Sequence, residues 1–124
     1  MTDPRDPQDL IPLRSIEFEI LLVLAGGDSH GYGIIKEASA RLPGGGRIET
    51  GTLYRALRRL TSLSLVKPDE RRPASDLDDR RRRYFCITPF GREVAEAEAR
   101  RLAAQVDVAR DRALLAGARE GRIV

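Results

Sequence analysis

The sequence predicts a mainly α fold with a small β wing, and three features carry that expectation. Residues 50–64, TGTLYRALRRLTSLS, read as a helix with one apolar and one cationic face. A helical segment precedes it across a glycine-rich turn. Two short β-prone stretches and then a long uninterrupted helical run follow it.

Length and composition set the limits. A chain of 124 residues is one small domain with a single modest core. Its formal net charge of +3 comes almost wholly from arginine, because Lys36 and Lys67 are the only lysines. Arginine forks onto phosphates and guanine edges, which favours a nucleic-acid partner. Cys86 is the only cysteine, so the chain can form no intrachain disulfide and no cysteine-based zinc site, as fits a reducing cytoplasm. The longest apolar run, residues 20–25, is far too short to span a bilayer. The opening MTDPRDPQD is acidic and proline-broken where a signal peptide is basic and then apolar. A cytoplasmic protein without a membrane span is expected.

Taken in order, residues 1–11 hold prolines and charges without periodicity and are expected to form a flexible N-terminal arm. Leu13, Ile16, Ile20, Val23 and Leu24 recur at helical spacing, which predicts a first helix over 12–25 that Gly26 and Gly27 stop. Asp28, Ser29 and His30 read as cap and turn before a second helix carrying Ile34, Ile35, Ala38 and Leu42. Gly31 and Gly33 lower helix propensity in its first turn, which points to close packing of that backbone against a neighbouring helix. His30 is the only histidine, and a metal site needs three or four ligands, so a capping or packing role is expected.

Residues 43–49 form the turn that joins this helix to the helix at 50–64, giving a helix-turn-helix whose second member reads DNA. Leu53, Ala56, Leu57, Leu60 and Leu63 gather on the core side of that member. Thr52, Arg55, Arg58, Arg59 and Ser62 gather on the other, with Thr50 as N-cap and Gly51 leaving the first N–H groups open to an anion. A surface helix with solvated arginines is the plainer alternative for this stretch alone. Leu65, Val66 and Lys67 then form a short strand, residues 68–79 a polar tip, and residues 80–88, RRRRYFCIT, a returning strand. Acidic residues dilute the arginines of this wing.

Thr88 and Pro89 mark a strong helix start, and the helix is expected to run to Ala116, about 42 Å. Ala95, Ala99, Leu102, Val106, Ala109, Ala113 and Ala116 repeat at alternating spacings of four and three, a heptad seam that suits a homodimer interface. A second stripe, Phe90, Val94, Ala97, Ala104, Val108 and Leu115, is left to pack within the subunit. The domain boundaries that follow are 1–11 for the arm, 12–88 for the DNA-binding domain, 89–116 for the dimerisation helix and 117–124 for a flexible tail.

Three segments carry a family likeness. HGYGIIKEA at 30–38, GTLYRALRRL at 51–60 and RRRYFCITPFGREV at 81–94 resemble, in order and spacing, the signature segments of the PadR-like transcriptional regulators. The resemblance implies a winged helix-turn-helix domain plus a long C-terminal dimerisation helix, in the family's shorter form. It also implies a ligand-responsive repressor on a pseudo-palindromic double-stranded DNA operator. Thr52, Tyr54 and Arg55 match the start of the family's recognition helix, and Arg80, Arg81, Arg82 and Arg83 match the descending side of the wing. Some members stack flat aromatic drugs on a tryptophan at the dimer centre. This chain has no tryptophan and an alanine-rich seam, so an effector-free protein or a differently placed effector pocket are the alternatives.

The expected DNA contacts are Thr50, Gly51, Thr52, Tyr54, Arg55, Arg58, Arg59 and Arg80 to Arg83, with Arg55 reading a base and Arg58 and Arg59 holding phosphates. A winged-helix module that binds an acidic protein partner is the second reading. An enzyme is not expected, because the carboxylates are confined to charged surface segments and no nucleophile has a plausible base. Cys86 reads as a buried, inert thiol, with a redox sensor as the alternative. No cofactor or metal is implied.

Overall fold

The computed structural model describes residues 5–69 and 83–116. Four helices surround a three-stranded antiparallel sheet of order β1-β3-β2: α1 (Ser15–Ala25), β1 (Ser29–His30), α2 (Gly31–Ser39), α3 (Thr50–Ser62), β2 (Val66–Pro68), β3 (Tyr84–Ile87) and α4 (Pro89–Asp111). The fold is a mainly α winged helix with a long C-terminal helix, as the sequence predicts.

Helix α1 supplies the centre of the core through Ile20, Leu21, Val23 and Leu24, all buried. It starts at Ser15, later than the expected position 12, because the peptide groups ahead of it are taken by carboxylates. Leu13 N–H donates to Glu98 Oε2 at 2.9 Å and Arg14 N–H donates to Glu17 Oε1 at 3.1 Å. Residue 14 is accordingly extended and caps the helix from outside it.

Residues 5–11 correct the expectation of a flexible arm. Asp6 caps a 3-10 turn over Pro7–Leu10, and Leu10 and Ile11 pack on the core. Arg5 Nη2 donates to Leu63 O at 2.7 Å, and its guanidinium lies 4.5 Å from the centre of the Phe90 ring. A guanidinium on a carbonyl at the end of one helix and on an aromatic face of another holds the segment in place. Residues 1–4 and the expected tail at 117–124 lie outside the described residues.

His30 caps α2 as expected, its Nδ1 accepting from Gly33 N–H at 3.1 Å. The glycine at 31 has a steric cause: a Cβ there would overlap the Tyr54 hydroxyl of α3. The two helices of the motif therefore meet backbone to ring. Helix α2 ends at Ser39, whose hydroxyl accepts from Ile48 N–H at 3.0 Å and holds the following turn. Gly44 and Gly45, at φ of 72° and 73°, supply the left-handed conformations that the turn requires.

The wing has one strand more than expected. Ser29 and His30, read from sequence as cap and turn, pair with Phe85 and Tyr84. The other pairing sets Val66 against Ile87 and Pro68 against Phe85. Residues 70–82, which hold most of the expected tip at 68–79 and the start of the expected strand at 80–88, lie outside the described residues.

Thr88 Oγ1 caps α4 by accepting from Gly91 N–H at 2.8 Å, and its hydroxyl donates to Ser64 O at 2.6 Å. Any Cβ at Gly91 would overlap the Leu65 carbonyl oxygen, so α4 sits directly on the backbone that follows α3. Phe90, Val94, Ala97 and Glu98 are buried, whereas Ala104, Val108 and Leu115 from the same expected stripe are exposed. The helix ends at Asp111, about 34 Å long. Ala113 takes φ of 63°, and Leu114 N–H reaches back to Ala109 O at 2.8 Å, which closes the end. Ala113 and Ala116, expected on the dimer seam, therefore lie beyond the helix.

Glu98 is 1% exposed, and the Arg101 guanidinium that it binds through Oε1 at 2.6 Å and Oε2 at 3.0 Å holds its carboxyl below the usual carboxylate range. The Leu13 N–H adds to this, and burial opposes it. A depressed folded value stabilises the fold above the unfolded value near ~4.3, and this is lost as pH falls through the folded value. Glu98→Gln should thus lower stability at neutral pH, with the difference from the parent shrinking as urea titrations are repeated below pH ~4. Gly91→Ala should lower stability by about 1–3 kcal/mol in the same titration, because backbone must move to admit the methyl.

Candidate nucleic-acid interface

Helix α3 has the two faces read from its sequence. Leu53, Ala56, Leu57 and Leu60 are buried, while Gly51, Arg55, Arg58, Arg59, Thr61 and Ser62 are exposed. Its cap is Glu49, which Leu53 N–H reaches through the backbone at 3.0 Å, and Thr50 is the first helical residue. Thr50 is thus not the cap. No side chain caps this end, so the first N–H groups are left to solvent or a ligand.

The arginines on the exposed face are not equivalent. Arg55 Nη2 donates to Thr52 Oγ1 at 3.3 Å, a weak contact that lays the guanidinium along the first turn. Arg58 is exposed and makes no hydrogen bond or ion pair among the described residues. Arg59, expected to hold a phosphate, donates from Nε to Glu17 Oε2 of α1 at 2.7 Å. Glu17 is 1% exposed and Arg59 is 44% exposed. Glu17 and Glu98 both correct the expectation that the carboxylates lie in exposed segments. Helical spacing from Ile20, Leu21 and Leu24 puts Glu17 on the core face, whereas its partner Arg59, 42 residues on, has no local signal.

Tyr54 is half-buried against the core, its ring filling the space that Gly31 leaves. It props the first turn of α2 against α3, and its hydroxyl lies at that junction. Arg83 is exposed and precedes Tyr84, which pairs with His30. The base of the wing therefore enters beside the start of α2. His30 stacks edge-on with Tyr84 at 5.1 Å between ring centres, which completes a packed corner under this surface. Arg80, Arg81 and Arg82 lie outside the described residues.

Of the expected seam on α4, Ala95 packs partly on its own core, Leu102 and Ala109 are half-buried, and Ala99 and Val106 are exposed. Cys86 is buried in β3. Among the described residues no helix is long and apolar enough to cross a membrane.

Comparison with known proteins places the chain. It is 42% identical over 84 residues to an uncharacterized protein in a Streptomyces fradiae transposon, a match that covers 68% of this chain and 22% of that protein. The chain thus spans under a quarter of the length of that relative. A PadR family regulator from Clostridium difficile superposes with a TM-score of 0.65 at 26% identity, covering 79% of this chain and 97% of that one. Bacillus subtilis PadR in complex with operator DNA shares the fold at a TM-score of 0.57 and 20% identity, over 69% of this chain and 47% of that one. The model of the transcriptional regulator PadR-like family matches residues 20–97, from the middle of α1 through the wing to α4. With its arginine-faced α3, its wing and that match over more than half its length, the chain belongs to the PadR-like family of transcriptional regulators.

Proposed function

We propose that two copies of this chain bind a pseudo-palindromic operator as a repressor, each laying α3 in a major groove, with the helices about one turn, ~34 Å, apart. The observation that carries this reading is the division of α3 into a face locked in the core and a face that presents Arg55 and Arg58 outward. Bacillus subtilis PadR, which shares the fold, is solved with operator DNA. Arg55, on the first exposed turn with Thr52, is the base-reading residue; Arg58, the open N-terminal peptide groups at Thr50 and Gly51, and Arg83 hold phosphates. Arg80, Arg81 and Arg82 extend the same role along the wing. Tyr54 serves mainly as the prop between α2 and α3.

Dimerisation through α4 is supported by the apolar surface that its distal half exposes. Val106 is 39% exposed and Val108 51%, with Leu114 and Leu115 beyond the helix end at 78% and 43%. A monomer would leave these residues in water. The seam we propose is Ala99, Leu102, Val106 and Ala109, with Ala95 at its edge; Ala113 joins only through the closing turn. A small-molecule effector of unidentified chemistry belongs to this reading. A cleft of about 760 Å³ lined by Asp28, Lys67, Asp69, Ile87 and Arg92 is the site we propose for it.

Arg55→Ala should cost about 1–3 kcal/mol of binding to the operator and relax sequence preference, whereas Arg58→Ala should weaken all sequences alike and reduce the salt slope by about one unit. Fluorescence anisotropy on operator and scrambled duplexes separates the two, and equal losses on both duplexes from both variants contradict the assignment. Leu102→Glu combined with Val106→Glu should convert the dimer to a monomer in sedimentation and lower operator affinity by well over tenfold. A variant that stays dimeric removes the seam from the proposal. An absence of salt-sensitive, sequence-preferring binding would favour the alternative, an acidic protein partner.

A further inference from the structure

Arg59 lies on the cationic side of α3, yet its Nε is bound at 2.7 Å to Glu17, a carboxylate that is 1% exposed on α1. The other oxygen of Glu17 accepts from Arg14 N–H at 3.1 Å. Among the described residues the acid therefore has one backbone donor and one guanidinium, and no other counter-charge lies closer than Arg14 Nη1 at 3.9 Å, on a side chain that is 70% exposed. Withdrawing Arg59 would leave a buried carboxylate with a peptide donor and a distant, solvated cation. That state is strongly disfavoured, whereas a surface phosphate contact replaces one condensed counterion. Even where the outer nitrogens of Arg59 face DNA, the pair carries no net charge and releases no counterion.

From this we infer that Glu17 is a specificity-determining residue for DNA binding: it neutralises Arg59, fixes α3 on α1, and leaves Arg55 and Arg58 as the arginines of α3 that act as free cations. The inference rests on the DNA-binding reading. Its consequence for selectivity is direct. Non-specific affinity grows with the number of free cations on the face, so an arginine neutralised from within keeps affinity for random sequence low without altering the base-reading residue. Arg59 then serves to orient the helix, and the sequence alone cannot separate it from its neighbour Arg58.

The test compares the salt dependence of binding to mixed-sequence duplex DNA for the full chain and two variants, with folding checked by thermal melting. Glu17→Gln removes the counter-charge and frees Arg59. The slope of log affinity against log salt should steepen by about 0.9 per subunit, and the ratio of specific to random affinity should fall. Glu17→Gln with Arg59→Gln replaces the pair by neutral side chains of similar shape, and its slope should equal that of the parent. A double variant flatter than the parent by about 0.9 per subunit shows that Arg59 already neutralises a phosphate, and overturns the inference. This second comparison decides even if the single variant does not fold. An absence of salt-sensitive binding by the parent protein overturns the DNA-binding reading and this inference with it, so the two failures are told apart by the parent's own curve.

Discussion

Two buried carboxylates hold adjacent peptide groups, and most of the architecture is referred to that point. Leu13 N–H is held by Glu98 of α4, and Arg14 N–H by Glu17 of α1. Each acid is completed by an arginine, Arg101 within α4 and Arg59 from α3. Charge buried without such partners costs several kcal/mol, and breaking a fully buried pair costs about 3–5 kcal/mol. The cost is smaller for Glu17 because Arg59 is 44% exposed, yet it still exceeds what an exposed ion pair contributes. The chain entering α1 is thus the common anchor for α3 and α4.

This arrangement explains why α3 can be polar outside and still be rigid. Its apolar side is sealed by Leu53, Leu57 and Leu60, its flank is pinned by Glu17, and its C-terminal carbonyl at Leu63 is held by Arg5. Tyr54 against Gly31 fixes its angle to α2, and Gly91 against Leu65 seats α4 on the segment that follows it. A helix held by several neighbours loses little conformational freedom on binding, which is what the proposed DNA-contacting surface requires. Along the distal half of α4, by contrast, residues 103–108 are all exposed among the described residues.

Features written in local chemistry were legible from the sequence. The two faces of α3, the His30 and Thr88 caps, the stop at Gly26 and the close packing implied by Gly31 all follow from periodicity, hydroxyl or imidazole caps, and the absence of a Cβ. What escaped depends on residues far apart in the chain. Docking of residues 5–11 needs Leu63 and Phe90 in place, and β1 is two residues long, too short to show alternation. The end of α4 depends on Ala113 adopting a left-handed conformation that alanine rarely takes, so its helical periodicity runs on past the true end. Helical spacing places Glu17 beside Ile20, Leu21 and Leu24 and Glu98 beside Val94, but the distant partners at Arg59 and Leu13 that satisfy them leave no local pattern.

The central claim is that a symmetric pair of α3 helices reads DNA, and hydroxyl-radical footprinting of the protein on the DNA upstream of its own gene tests it most directly. The structure predicts two protected patches of similar sequence related by a two-fold axis, their centres one helical turn apart or a multiple of it. A single patch, patches without that symmetry, or an unprotected backbone at low salt would contradict the claim.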